Sequence, residues 1–214
     1  MSARPPSASR SQGGPARIAA AVVIALLPGR VRGPLPVAAV LLALAAAGCV
    51  TPLSPAALSP DAVALPVPVV QQDELYECGL VSLSSLCQYY RVTIPPQVRE
   101  ALVRTAKERQ GLSGAELAAA LEELGLEVHI FEGTLDHSPT GLYQHVDEGR
   151  PLLVITQERF GSPHYCLFAG YDIEHATVYL LDPRRGPVVW PVATFRDQWK
   201  RAQRFTLLAV PKGP

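Results

Sequence analysis

The hydrophobic pattern of the chain changes once, near Gly125, and this change limits the folds that it can adopt. Before Gly125, apolar residues recur with the spacing of helices. After it, short β-branched or aromatic runs are separated by Gly, Pro and Asp, as in strands joined by turns. Helices first and strands second predict an α+β fold, with early helices packed against a later antiparallel sheet.

Three helices are predicted in the first part of this pattern. The first covers residues 78–90, and its apolar residues surround most of the helix, which indicates burial on several sides. The second begins at a pair of prolines and covers residues 95–109. The third lies between Ser113 and Gly125, where Ser113 and Glu116 form a capping box. The expected strands follow in the runs LEVHIF, PLLVIT, HYCLFAGYD, TVYLLD, PVVWPV and RFTLLAV.

Residues 1–48 have the pattern of a targeting segment rather than of a folded domain. Arg30 and Arg32 precede the apolar run LPVAAVLLALAAAGC, which is too short to span a membrane comfortably and ends in small residues. We therefore expect a signal peptide over residues 1–48. Its ending, AAGC, resembles the lipobox of bacterial lipoproteins, in which the cysteine, here Cys49, becomes the lipidated first residue. A plain anchor without lipid, cleaved or uncleaved, is the alternative.

Two further parts follow the leader. Residues 49–68 contain five prolines and little charge, which suits a tether that leads away from a membrane. Residues 69–214 form the expected globular domain. Without residues 1–48 the chain has 14 basic and 19 acidic residues, a net charge of −5. This acidic balance offers no footprint for nucleic acid, so we expect no nucleic-acid partner.

Cys78 stands between a polar, acidic segment and the first predicted helix, in the stretch QQDELYECGLVSLSSL. A thiolate at the start of a helix is stabilised by the positive end of the helix dipole, which lowers the pKa of the thiol and makes it nucleophilic. Gly79 leaves room for a substrate backbone. Cysteine is also common in apolar helices as a packing residue, and this stretch alone leaves that alternative open.

A reactive thiol needs a base, and His164 is the candidate. It opens the apolar run HYCLFAGYD, so its ring is expected at the start of a strand, where it can reach a neighbouring helix end. The other histidines are expected to face solvent: His129, His137, His145 and His175.

The base in turn needs a group that orients it, and Asp182 ends the apolar strand TVYLLD. A carboxylate at that strand end can hold the imidazole of His164, although an aspartate before a proline is often only a turn former. Gln72 lies six residues before Cys78, where its amide can help to bind an oxyanion. Composition alone does not distinguish Gln72 from Gln71.

The two other cysteines of the expected domain have packing roles. Cys87 follows Cys78 by nine residues, half a turn out of phase on a helix, so the two face opposite ways. Cys166 is expected to face this helix from its strand. A disulfide between Cys87 and Cys166 in an oxidising compartment is left open. No two Cys or His residues have the spacing of zinc ligands, and we expect no metal.

The stretch QDELYECGLVSLSSL resembles the active-site motif of the C39 peptidases, a branch of the papain-like cysteine proteases. This family is best known for trimming double-glycine leaders from bacteriocins inside ABC exporters. The segments GLSGAELAAALEELGLEV, PHYCLFAGYD, VYLLDPRRG and TFRDQW are similar to later parts of the family pattern, so the resemblance covers roughly residues 69–210. The resemblance implies a papain-like fold and an enzyme that hydrolyses peptide bonds without a cofactor.

The resemblance also implies roles for individual residues. Cys78 is the nucleophile, His164 the general base, Asp182 the residue that orients it and Gln72 the oxyanion donor. Two alternatives stay open: an inactive peptide-binding lipoprotein, and a thiol-dependent acyl or amide transferase.

The chain departs from the exporters of that family, because it contains no Walker A pattern. We therefore expect a peptide or protein substrate, a lipid anchor in a membrane and no nucleotide-binding domain in this chain. The expected location is the cell envelope of a bacterium. In many lipoproteins an aspartate directly after the lipidated cysteine favours retention in the inner membrane. Here Val50 follows Cys49, and the absence of that aspartate points to the outer membrane.

Overall fold

The structure is a computed structural model, which describes residues 58–213. Over these residues it contains five α-helices and a seven-stranded sheet whose strand pairings are antiparallel. This confirms the α+β architecture expected from the change of pattern near Gly125. Within the described range, no helix has the length and hydropathy needed to cross a membrane. The predicted leader and Cys49 lie outside it.

Three helices come first, as predicted: α1 is Cys78–Tyr89, α2 is Pro96–Arg109 and α3 is Gly114–Glu123. A 3-10 helix, Leu75–Glu77, leads directly into α1. The predicted capping box at α3 is present, since Ser113 Oγ accepts the N–H of Glu116 and the Glu116 carboxylate accepts the N–H of Ser113. Local signals therefore determine where α3 begins.

The strands form one sheet around a central strand. Their bounds are β1 Val63–Ala64, β2 Leu126–Glu132, β3 Leu152–Thr156, β4 His164–Asp172, β5 Thr177–Asp182, β6 Gly186–Pro191 and β7 Phe205–Pro211. Six strands run in the order β2-β7-β3-β4-β5-β6, and β1 pairs with β4 beyond the end of β3. Because the first residue of β4, His164, pairs with Thr156 of β3, its position is fixed by the sheet.

Two helices were not predicted from the sequence. They are α4, Leu142–Asp147, and α5, Val192–Arg201. α4 has only six residues, too few for a periodic signal. α5 begins directly after β6, so the predicted strand PVVWPV runs across the boundary between two elements, which lies at Pro191. Both helices cover the sheet face opposite α1.

The strand β4 separates two hydrophobic cores. Tyr165 and Leu167 pack with α1 on one face, whereas Cys166 and Phe168 pack with α4 and α5 on the other. Successive side chains of a strand point to opposite faces, which explains the alternation. Cys166 therefore faces away from α1, and the expectation that it faces the helix is wrong. Cys87 lies in the other core, and both thiols are free rather than joined in a disulfide.

Residues 58–72 run along the domain and are called the N-terminal strap below. Near its start, the backbone N–H of Ser59 donates to Asp172 Oδ2 over 2.7 Å. Val63 and Ala64 then pair with β4, and the N–H of Gln72 donates to the carbonyl of Pro183 over 3.0 Å. Packing therefore begins ahead of residue 69, within the segment expected as a tether.

Candidate active site

Cys78 is the first residue of α1, and its side chain is buried beside the start of β4. The 3-10 helix Leu75–Glu77 turns the chain into α1, and Glu77 fastens this turn by accepting two backbone N–H groups from the residues before it. Gly79 permits close approach of the strand, because a Cβ there would lie 3.2 Å from Cδ2 of Tyr165. The thiol thus lies at the positive end of a buried helix.

The surroundings of Cys78 favour its thiolate. Burial opposes ionisation and raises the pKa of the thiol. The pKa is lowered by a hydrogen bond with His164 and by the backbone N–H groups of Tyr165 and Gly79, and this lowering is the larger effect. The pKa of Cys78 therefore lies below that of an ordinary cysteine. By contrast, burial raises the pKa of Cys87 to about 11 and also raises the pKa of Cys166.

His164 begins β4, and Asp182 ends β5. The two strands pair antiparallel, with Leu167 opposite Leu181, so the start of one lies beside the end of the other. His164 Nε2 and Asp182 Oδ1 are 2.8 Å apart, and the two side chains are 12% and 6% exposed. The strand register therefore brings together the histidine and the carboxylate that the sequence predicts.

The contact with Asp182 orients the ring of His164. With Asp182 ionised, the hydrogen on Nε2 points to the carboxylate, and the second ring nitrogen, Nδ1, holds the lone pair. Nδ1 is buried and has no nitrogen or oxygen partner in the part of the chain that the structure describes. It is left to interact with the Cys78 thiol. This is the tautomer that a base for Cys78 requires.

The pKa values of the pair shift in opposite directions. Burial lowers the pKa of His164, but hydrogen bonds with Asp182 and Cys78 raise it above the ordinary value. Burial raises the pKa of Asp182, but the hydrogen bond with His164 and the backbone N–H of Arg184 bring it below the ordinary value. A lowered thiol pKa beside a raised imidazole pKa favours a thiolate–imidazolium pair, the reactive form of a nucleophilic cysteine.

Gln72 lies next to this cluster, at the end of the N-terminal strap. Its backbone N–H is bonded to Pro183, directly after Asp182. Its side-chain Nε2 donates to the carbonyl of Glu74 over 2.6 Å, and its Oε1 is buried without a partner among the described residues. To bind an oxyanion, the Gln72 amide has to exchange its bond with Glu74 for one with the substrate. Gln71 is exposed.

Two clefts adjoin the cluster. The Cys78 cleft has a volume of about 640 Å³ and is lined by Tyr76, Cys78, Gly111, Leu112 and Tyr165 among others. The His164 cleft has a volume of about 280 Å³, with Thr156, His164, Asp182, Trp190 and Gln198 in its wall. Three residues line both: Leu75, Ser162 and Arg184. The nucleophile and the base therefore line two adjacent clefts that share part of their walls.

Three features were not predicted, two of them in this region. Tyr165 supplies a backbone N–H to the thiol, which only the fold reveals. Arg184 lines both clefts, and the signal for its fixed position was available: its N–H donates to Asp182 Oδ1 over 2.8 Å, as in a turn that an aspartate initiates. His145, expected to face solvent, is buried in the unpredicted helix α4, and burial lowers its pKa.

Comparisons with known proteins agree with this architecture. The sequence model of the Peptidase C39 family matches residues 66–211. No curated protein sequence matches the chain.

Solved structures match the chain at low sequence identity. The first is a double glycine motif protease from an AMS/PCAT transporter in complex with the leader peptide, with 21% identity, coverage of 70% of this chain and 94% of that one, and a TM-score of 0.52. The peptidase domain of Streptococcus ComA is 18% identical, and the match covers 67% of this chain and 98% of that domain, with a TM-score of 0.55. A C39-like peptidase from Bacillus anthracis is 20% identical, and the match covers 72% of this chain and all of that one, with a TM-score of 0.54. The chain thus has the papain-like fold of C39 peptidase domains.

Proposed function

The chain belongs to the peptidase C39 family, and we propose that it is an active cysteine peptidase that uses Cys78, His164 and Asp182. The observation that carries the proposal is the set of three residues: His164 contacts Asp182 over 2.8 Å, its buried Nδ1 has no nitrogen or oxygen partner among the described residues, and the Cys78 thiol at the start of α1 has a lowered pKa. A packing cysteine needs none of these, and the pKa of Cys87 shows what burial alone does.

In the proposed reaction, the Cys78 thiolate attacks the carbonyl carbon of the scissile peptide bond, and a carbon–sulfur bond forms. The carbonyl oxygen becomes an oxyanion, which the N–H of Cys78 and the amide of Gln72 stabilise. Protonated His164 gives its Nδ1 proton to the leaving amine as the carbon–nitrogen bond breaks, and an acyl-enzyme remains. Water then attacks the thioester, His164 accepts a proton from it, and the thiolate leaves.

The test is peptide cleavage by the full chain, with Cys78→Ala as the matched control. A mixture of proteome-derived peptides, supplemented with synthetic peptides that carry a double-glycine leader, is incubated with each protein and analysed by mass spectrometry. We expect new peptide termini with the wild type and none with Cys78→Ala, whose circular dichroism remains that of the wild type. Equal cleavage by both proteins would refute the proposal, and so would no cleavage by either.

We also propose that the protein is exported and attached by lipid at Cys49 to a membrane of the bacterial envelope. The support is the sequence of the leader, with Arg30 and Arg32 before the apolar run that ends in AAGC. Intact-mass measurement of the membrane-bound protein is expected to show an N-terminus at Cys49 with added diacylglycerol and acyl chains. Cys49→Ala is expected to remove the added mass. A leader still attached in the wild type would contradict the proposal.

A further inference from the structure

Arg184 occupies a particular place between the two clefts. It follows Asp182 by two residues, and it lines both the Cys78 cleft and the His164 cleft. Of the described residues that line the Cys78 cleft, Arg184 alone carries a formal charge at neutral pH apart from the thiolate itself. A substrate that binds along the nucleophile therefore meets one exposed positive side chain, whose backbone Asp182 holds.

Within the described domain, the guanidinium of Arg184 forms no ion pair. No carboxylate of residues 58–213 lies within ion-pair distance of its guanidinium, and the sequence contains no Asp or Glu before Asp61. Asp182 holds Arg184 only through the backbone N–H, over 2.8 Å. Its neighbour Arg185 differs, because its charge helps to lower the pKa of Asp182.

The acidic residues near the clefts do not neutralise Arg184. Glu77 accepts the backbone N–H groups of Asp73 and Glu74 and does not line either cleft. Glu158 lines only the His164 cleft, where Arg185 is also present. The Cys78 cleft consequently has one cationic side chain without an ion-pair partner among the described residues, and a carboxylate is the group in peptides that matches a guanidinium in charge and in its two-oxygen geometry.

We propose that Arg184 is a specificity residue that binds a carboxylate of the peptide substrate close to the scissile bond, an inference that rests on the proposed peptidase function. An extended peptide advances by about 3.3 Å per residue, and an arginine side chain reaches roughly two such steps. Because Arg184 and Cys78 line the same cleft, the carboxylate is expected within a few residues of the bond that is cut. It is either an acidic side chain or the free C-terminus of the peptide.

The first test needs no turnover. The full chain is alkylated with three matched pairs of reagents: iodoacetate and iodoacetamide, N-iodoacetylglycine and its amide, and N-iodoacetylglycylglycine and its amide. Mass spectrometry gives the rate constant at Cys78 for each reagent. We expect that Arg184→Gln lowers the acid-to-amide rate ratio by about threefold to tenfold for at least one length. High salt is expected to reduce this difference.

The matched control is Arg159→Gln, which removes an exposed positive charge from the loop before His164. Arg159 stacks on Phe160 and lines neither cleft. Its acid-to-amide ratios are expected to equal those of the wild type. If Arg184→Gln leaves all three ratios unchanged, or if Arg159→Gln lowers them equally, the proposal is overturned and general surface charge explains the bias.

A second test uses peptides that the wild type cleaves and distinguishes the two sources of the carboxylate. Peptide pairs differ either in Asp against Asn near the cut or in a C-terminal acid against an amide. For the preferred acidic member, Arg184→Gln is expected to raise KM about tenfold and to change kcat by less than about twofold. Cleavage by the wild type without either preference overturns this inference and leaves the peptidase function intact. Absence of cleavage refutes the peptidase function, while the alkylation ratios still decide whether Arg184 binds carboxylates.

Discussion

The central strand β4 carries an aspartate–histidine pair near each end, and only one of them has the arrangement of a catalytic site. At the start of β4, His164 contacts Asp182 over 2.8 Å. Beyond its end, His175 contacts Asp172 over 2.9 Å, and Ser59 completes the second group. Each cluster therefore combines a carboxylate, an imidazole and a side chain that can be a nucleophile.

The order of the hydrogen bonds separates the two clusters. In the first, the histidine is in the middle: Asp182 holds one ring nitrogen of His164, and the other faces Cys78. In the second, the carboxylate is in the middle, because Asp172 accepts the hydroxyl and N–H of Ser59 and also the N–H and Nδ1 of His175. The serine hydroxyl thus donates to a carboxylate whose lowered pKa makes it a weak base, and it has no contact with the imidazole.

Exposure separates them further. The His164 side chain is 12% exposed, whereas that of His175 is 49% exposed. The comparison teaches that an aspartate–histidine contact is not itself evidence of catalysis. A base requires its second nitrogen to face a nucleophile in a shielded cleft, while a carboxylate with four donors fastens a chain segment, here the start of the N-terminal strap.

The largest expected effect comes from removing each histidine in turn. His164→Ala removes the proposed base of Cys78 and is expected to lower kcat/KM for a cleaved peptide by at least about 10⁴-fold. His175→Ala, at the other end of β4, is expected to change it by less than about threefold. Steady-state hydrolysis by the two purified variants makes the comparison. Similar losses in both would contradict the distinction drawn between the clusters.

Replacing the two carboxylates is expected to separate activity from stability. Asp182→Asn leaves the volume unchanged but no longer holds the tautomer of His164, so kcat is expected to fall about 10²- to 10⁴-fold. Asp172→Asn loses an acceptor for the strap, and the free energy of unfolding is expected to fall by about 2 kcal/mol with little change in kcat. Denaturant unfolding and hydrolysis are measured on both variants. A stable Asp172→Asn variant with low activity would reverse the assignment.

Glycine substitutions examine the packing beside each cluster. A Cβ at Gly170 would lie 2.3 Å from the backbone oxygen of Val63, so Gly170→Ala is expected to displace β1 and to cost about 2 to 3 kcal/mol. At Gly79 the nearest atom, Cδ2 of Tyr165, is 3.2 Å away and belongs to a side chain, so Gly79→Ala is expected to cost about 1 kcal/mol. Urea unfolding of both proteins measures the difference, and the opposite order would show that β1 packs loosely.

The acid dependence of stability provides the smallest expected effect. Burial raises the pKa of Asp172, but hydrogen bonds from Ser59 and His175 bring it down to about 2, below the value in the unfolded chain. Its stabilising contribution is therefore complete above about pH 4 and is lost as pH falls toward 2. The difference in unfolding temperature between the wild type and Asp172→Asn should be constant from pH 5 to 7 and shrink below about 4. A constant difference down to pH 2 would mean that Asp172 titrates normally.

The sequence was sufficient for the elements with strong local signals. The capping box predicts the start of α3, and the alternation of turn residues with apolar runs predicts β2 to β7. The alignment of His164 with Asp182 was also predictable, because one residue opens a strand and the other closes the next. Antiparallel neighbours bring such positions together without further information.

The remainder depends on long-range contacts. The strand β1 has two residues in a proline-rich segment, and only its pairing with Gly170 and Tyr171 defines it. The face of Cys166 could not be predicted because β4 is apolar on both sides, so its pattern does not show which face meets α1. The proposed role of Arg184 likewise depends on two clefts that exist only after folding.

The most direct test of the account is the pH dependence of alkylation at Cys78, measured in the full chain for the wild type and for His164→Ala. Iodoacetamide reacts with thiolates, and mass spectrometry assigns the product to each cysteine, with Cys87 and Cys166 as buried controls. The account predicts that Cys78 of the wild type reacts rapidly below pH 7 and that this reactivity is lost in His164→Ala. An ordinary thiol profile at Cys78, the same in both proteins, would contradict the thiolate–imidazolium pair and leave Cys78 as a packing residue.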